Sequence, residues 1–277
     1  MAFRSHRSFS SALFVATLFV PVNALASPIV FSAAGSDAAS IQGTVDDFRT
    51  QLGNPNNGNT LGSLGSGRRE INWDGGGAAA PATTFSSPMA TFNSAPTFRG
   101  GVFTTPGSGF EISGAPSPRF GDINATYPDT FTTFSAPRLF APLASTTTDA
   151  HFFVPGTNVP ATVTGFGAVF TDADVAANSS LTFFALDGTS LGTFNVSTAN
   201  NGLSFVGVAF DGGEQIGSVR LVTGNTALGP NDGVGIDVVA LDDFFYSEPT
   251  AVPEPSTLML LGTGAIGVGT ALWRRRR

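Results

Sequence analysis

TVTGFGAVFT, residues 162–171, alternates small or polar residues with apolar ones at the two-residue period of a pleated strand. Similar runs recur downstream at intervals of roughly ten residues: LTFFAL at 181–186, LGTFNV at 191–196, LSFVGVAF at 203–210, IGSVRLV at 216–222 and VGIDVVALDDFF at 234–245. Between them stand Asp187-Gly188, Asn200-Asn201-Gly202, Asp211-Gly212-Gly213 and Asn231-Asp232-Gly233, residues that tolerate the positive φ of tight turns. Short strands with Gly-rich turns predict a mainly β fold, a jelly-roll-like β-sandwich whose core strands lie within 150–248.

Upstream, 27–149 reads as the N-terminal part of the same β-rich body. Ile41, Val45, Phe48 and Leu52 recur at helical spacing and Gly53 follows as a stop, which predicts one short helix over 37–52. The Gly- and Asn-rich run 54–67 reads as a loop. RREINWD (68–74) is a short strand-like island, and Phe152-Phe153-Val154 begins the clearer strand signal. Residues 78–145 are rich in Pro and Thr; 98–105, 109–113 and 131–134 are expected as short strands, confined by the prolines to edges or irregular connections.

The 277 residues carry only 12% charged residues, against about 25% in ordinary soluble proteins, and no lysine. The net charge of −7 hides a segregation. Of thirteen arginines, Arg4, Arg7 and Arg274 to Arg277 lie at the ends; from Ser27 to Thr250 seven arginines face nineteen acidic residues, a balance of −12. An acidic body argues against a nucleic-acid partner, whose phosphates demand a basic face. It is compatible with calcium or neutral sugars. The absence of cysteine excludes disulfides, thiolate metal sites and cysteine nucleophiles.

The two ends read as addresses. Arg4 and Arg7, the apolar stretch from Ala12 to Val20, and the small-x-small signal at Ala24 and Ala26 before Ser27 predict a signal peptide over 1–26. An uncleaved anchor is the alternative, disfavoured by the shortness of the apolar run and by Pro21. At the other end, 257–273 is an apolar stretch at the short limit for a single transmembrane helix. Trp273 would sit at the interface, and Arg274, Arg275, Arg276 and Arg277 would hold their end in the cytoplasm. Gly262, Gly264 and Gly267 match a dinucleotide fingerprint by letter, but without the strand–turn–helix context it requires.

Val252, Pro253, Glu254 and Pro255, followed by an apolar stretch and a terminal arginine cluster, resemble the PEP-CTERM sorting signal of Gram-negative bacteria, here spanning 251–277. The resemblance implies recognition of Pro253, Glu254 and Pro255 by a membrane protease-transpeptidase, exosortase. It implies transient anchoring in the inner membrane, then the cell surface or extracellular matrix, and an association with exopolysaccharide and biofilm. A plain C-terminal anchor is the alternative. The body, through GFGAVFTDAD, SLGTF and VVALDDFFY, resembles uncharacterised domains of exported bacterial proteins and carbohydrate-binding jelly rolls.

Candidate chemistry is sparse. His151 is the one histidine of the body, and no nucleophile elbow accompanies it, so an edge-strand role outweighs a catalytic triad. Asp172 and Asp174, with Asp242 and Asp243, are candidate ligands for a structural calcium, although Asp at strand ends is also ordinary turn chemistry. The 68–74 island reads first as a strand packed by Ile71 and Trp73 with a charged opposite face; Trp73, flanked by Glu70 and Asp74, is also a candidate sugar platform. Three readings follow: a non-enzymatic surface or matrix protein that binds polysaccharide, a secreted polysaccharide hydrolase or lyase, and a purely structural surface protein. The hydrolase would need two carboxylates across a groove.

Overall fold

The computed structural model describes residues 27–252. The signal-peptide and membrane-helix expectations, and the motif residues from Pro253 onward, lie outside the described residues. Among the described residues no helix is long and apolar enough to cross a membrane.

Among the described residues fifteen strands form: β1 (Ile29–Gly35), β2 (Arg68–Ile71), β3 (Thr83–Phe85), β4 (Gly101–Thr104), β5 (Gly109–Ile112), β6 (Phe140–Leu143), β7 (Thr147–Phe152), β8 (Ala161–Thr162), β9 (Gly165–Thr171), β10 (Ser180–Ala185), β11 (Ser190–Asn195), β12 (Leu203–Ala209), β13 (Ile216–Val222), β14 (Ala240–Ser247) and β15 (Thr250–Ala251). Two α-helices interrupt them, α1 (Ala38–Leu52) and α2 (Tyr127–Thr130). The larger sheet runs β1-β12-β9-β14-β6-β5-β3, with β2 added to β14. The smaller runs β11-β10-β13-β7-β4, and β15 pairs with β8 in a short ribbon. The body is therefore mainly β, in antiparallel sheets with few helices.

The two main sheets face each other across one core. Phe103, Phe152, Phe183 and Leu221 from the smaller sheet meet Phe110, Phe140, Phe166, Phe170, Phe244 and Tyr246 from the larger. Burying each such side chain contributes about 1.5–3 kcal/mol, so the many phenylalanines hold the two layers together without disulfides.

The outer face of the larger sheet is also covered. α1 starts where Asp37 accepts the Ser40 N–H, an N-cap that satisfies an orphan donor. Its Ile41, Val45, Phe48 and Leu52 pack on Val169, Leu203, Phe205 and Phe245. This explains the small residues of GFGAVFT. They are buried rather than solvent-facing, because Gly167 and Gly207 leave room for the Phe48 ring. A Cβ on Gly167 would lie 2.7 Å from Phe48 Cε1. A third cluster, Phe120, Tyr127, Phe131, Leu139 and Val238, extends the cover toward the other sheet edge.

Several expectations change. No strand forms over 131–134: the Thr132 N–H donates to Thr171 Oγ1 and the Phe134 N–H to Asp242 Oδ2, so side chains take the amides that a ladder would use. The strand expected over 234–245 begins only at Ala240, and Val234 stands fully exposed in the preceding loop. β1 to β6 and the first residues of β7 lie within 27–149 and are built into both main sheets.

Candidate functional site

The RREINWD island becomes β2 and the turn after it. Antiparallel pairing with β14 places Arg69 opposite Tyr246 and Ile71 opposite Phe244. Alternation then divides the charges. Glu70 faces α1 and accepts from Arg49 Nη2 at 3.0 Å and Arg68 Nε at 2.6 Å. Arg49 also lies over the Phe245 ring, 4.9 Å from its centroid. Arg69 points the other way and is fully buried. It forms a two-pronged pair with Glu248, Nε to Oε2 at 2.7 Å and Nη2 to Oε1 at 2.6 Å. Its remaining donors reach the carbonyls of Gly58, Thr60, Gly62 and Phe98. One guanidinium thus ties the loop 54–67 and the segment before β4 to the end of β14.

Trp73 has a left-handed backbone, φ 61°, which turns its indole inward. The ring is 2% exposed, stacks on Phe140 at 4.0 Å and meets Phe92 and Phe244 edge-on. Its Nε1–H donates to the Asp242 carbonyl at 2.7 Å. The indole is packed as core. Only its margin reaches a cavity of about 270 Å³, shared with Phe85, Phe92, Thr91, Asn72 and Arg99. Glu70 and Asp74 are engaged elsewhere and do not join Trp73 at one opening.

Asp242 and Asp243 owe their place to a bulge. Along β14, Leu241 is opposite Phe170 and Phe244 opposite Ala168, so one extra residue is accommodated at the two aspartates. Both carboxyls are buried. Ser135 Oγ lies within hydrogen-bond distance of Asp74 Oδ2, at 3.0 Å, and of Asp243 Oδ1. The Phe134 N–H donates to Asp242 and the Arg138 N–H to Asp74. Burial, then the neighbouring Asp243, pushes Asp242 well above the usual carboxylate range; burial raises Asp243 to about 6. The arrangement seals the 131–138 segment against the sheet.

Asp172 and Asp174 lie after β9, at the opposite end of the molecule from Glu248. Asp172 has φ 62° and accepts the Asn201 N–H at 2.7 Å. Burial and the charges of Asp174, Asp232 and Asp237 raise it to about 7, although the Asn201 bond opposes the shift. With Asp174, Asn200, Asn201 and Asp232 it borders an open polar depression of about 450 Å³. The four predicted calcium ligands do not assemble. They fall in two separate places, and among the described residues no group of three or more His, Asp or Glu side chains is placed to hold a metal ion.

His151 hydrogen-bonds Thr104 at 3.2 Å on the outer face of the smaller sheet, and burial lowers its pKa. Its neighbour Asp149 is taken by Arg220, Nε to Oδ1 at 2.8 Å. Ser135, Arg69 and Glu248 are the polar residues whose roles were not expected. Glu248 stands 179 residues from its arginine, and no local pattern marks such a pair.

Residues 251–277 match the model of the PEP-CTERM protein-sorting motif. No curated protein and no solved structure matches the chain.

Proposed function

We propose that this chain is an exported protein whose C-terminal motif delivers it to an exosortase-type membrane protease. Its body is a non-catalytic, jelly-roll-like sandwich that works at the cell surface or in the exopolysaccharide matrix. The observation that carries the reading is the sorting motif at 251–277, which begins at the last residues of the folded body. The motif supports export and transient anchoring before release. The non-catalytic reading is supported by what became of the carboxylates: Asp242 and Asp243 are sealed by Ser135 and the Phe134 amide, and Glu70 is held by two arginines. Neither arrangement leaves two acids facing a groove, as sugar hydrolysis requires; the acids that do share a depression, Asp172, Asp174 and Asp232, include one whose carboxylate is taken by the Asn201 N–H.

A matrix polysaccharide is the partner class this reading assigns. The cavity beside Trp73 suits a neutral sugar, with Phe85 and Phe92 as apolar walls and Thr91, Asn72 and Arg99 supplying hydrogen-bonding groups. Replacing Pro253 and Glu254 by alanine in the native host should trap the protein in the membrane fraction. Undiminished release would overturn the sorting reading. Retention of the purified protein on beads of host exopolysaccharide would support the partner, and passage through them would remove it while leaving the sorting reading intact.

A further inference from the structure

The strand ends make the body polar along its length. β1 begins opposite the end of β12, β12 ends opposite the start of β9, and β14 ends beside β9's start. The loops 53–67, 153–164 and 248–252 therefore gather at one end. Three hydrogen bonds join them: the Gly62 N–H donates to Pro155 O at 2.9 Å, the Leu64 N–H to Glu248 Oε1 at 3.1 Å and the Val252 N–H to Pro160 O at 3.3 Å. The chain leaves the described body at this end, at Val252.

The same end collects apolar side chains. Of the seven large hydrophobic residues exposed among the described residues, five lie here: Val30, Leu61, Leu64, Val159 and Leu186. Leu61 is 59% exposed, and Leu64 and Val159 are each 48% exposed. Single exposed apolar residues are ordinary on soluble proteins, but here Leu61, Leu64 and Val159 share adjoining loops. Those loops, 54–66 and 155–160, and the exit segment 249–252 contain no charged residue, although the body carries −12. The opposite end holds Asp172, Asp174, Asp232 and Asp237, while Asp187, Asp211 and Glu214 stand at the exit end beside the smaller sheet, away from the uncharged loops.

Four residues, 253–256, separate Val252 from the apolar stretch 257–273. Fully extended they reach only about 14 Å, so whatever surface the apolar stretch enters must lie close to Leu64 and its neighbours. We propose that the exit end is a membrane-contact face: while the tail is anchored, Leu61, Leu64 and Val159 press into the headgroup layer. The short link from Val252 to the apolar stretch and the uncharged apolar loops set this orientation, with Asp172, Asp174 and Asp232 on the far side. The inference rests on the reading of 257–273 as a membrane span.

The absence of cysteine allows single reporters. The chain from Ser27 to Arg277, as Leu61→Cys, Val159→Cys or Val234→Cys, would be labelled with a fluorophore and incorporated into phosphatidylethanolamine–phosphatidylglycerol vesicles carrying headgroup nitroxides. Labels at positions 61 and 159 should lose most of their emission, and the label at 234 should keep it. Failure of the protein to float with the vesicles would overturn the membrane-span reading and this inference with it. Flotation with 61 and 159 unquenched, or with all three positions quenched alike, would overturn the orientation alone. Emission changes that follow protein density rather than nitroxide content would assign the patch to a second copy of the chain, and would also overturn it.

Discussion

Arg69→Met removes the guanidinium that joins the exit-end loops to β14. Six hydrogen bonds disappear: two to Glu248 and one each to the carbonyls of Gly58, Thr60, Gly62 and Phe98. Methionine fills part of the volume, so the loss is mainly polar. Glu248 is left 4% exposed, with only the Asn57 amide and the Leu64 N–H as donors. Breaking a buried ion pair by removing one partner costs about 3–5 kcal/mol, because the other charge remains desolvated. At about 2–4 °C per kcal/mol for a domain of this size, the midpoint should fall by about 6–20 °C. Thermal and urea unfolding followed by Trp73 fluorescence would measure the fall. Adding Glu248→Leu should restore part of the loss, since it removes the stranded carboxylate. A single variant that costs less than about 1 kcal/mol, or a pair whose effects simply add, would refute the clamp.

Gly167→Ala should destabilise by about 1–3 kcal/mol through overpacking, because the new methyl meets Phe48 and the Gly207 backbone within 3 Å; calorimetry showing no change would contradict the close seating of α1. Asp172 titrates at about 7 in the folded chain, above the ordinary value of 3.8. Its contribution to stability is therefore full below about pH 4 and is lost as pH rises through 7. Asp172→Asn keeps a residue that tolerates φ 62° and an oxygen for the Asn201 N–H. The variant should differ little from wild type below about pH 4, gain part of the difference at pH 5 and the whole of it at pH 8, as read by urea midpoints; a loss at pH 8 would contradict the buried-charge account.

Much of the downstream sheet was legible because its strands are short, regularly spaced and separated by Asn-Gly or Asp-Gly turns. The helix was legible because Ile41, Val45, Phe48 and Leu52 share one face, and all four are buried where that face meets the sheet. The strand β1 escaped notice. It lies beside the cleavage signal and its seven residues, IVFSAAG, end in small residues that carry little pattern; its place is set by pairing with β12, more than 160 residues away. The expectation for 131–134 erred for the converse reason, since Phe-Thr-Thr-Phe has strand composition but its amides find Thr171 and Asp242 instead of a neighbouring strand.

The candidate sites were less legible than the fold. The island around Trp73 reads as a strand packed by Ile71 and Trp73, and both are buried, but its charges do not all lie on one outer face. Alternation across β2 and the left-handed turn at Trp73 send Arg69 and the indole inward, leaving Glu70 to anchor α1. Asp242 and Asp243 have no surface role for a related reason, as the bulge turns two consecutive carboxyls toward Ser135 and the 131–138 segment. The sorting motif was legible because its chemistry is local, a Pro-Glu-Pro run, an apolar stretch and an arginine cluster, and none of these depends on distant pairing.

Intact mass of the protein recovered from membrane and medium fractions of its native host tests the sorting reading most directly. The account predicts that released protein begins at Ser27 and ends near Pro255, with the full tail found only on a membrane-bound precursor. A protein that keeps Arg277 in every fraction would contradict it, and would leave 251–277 a plain anchor.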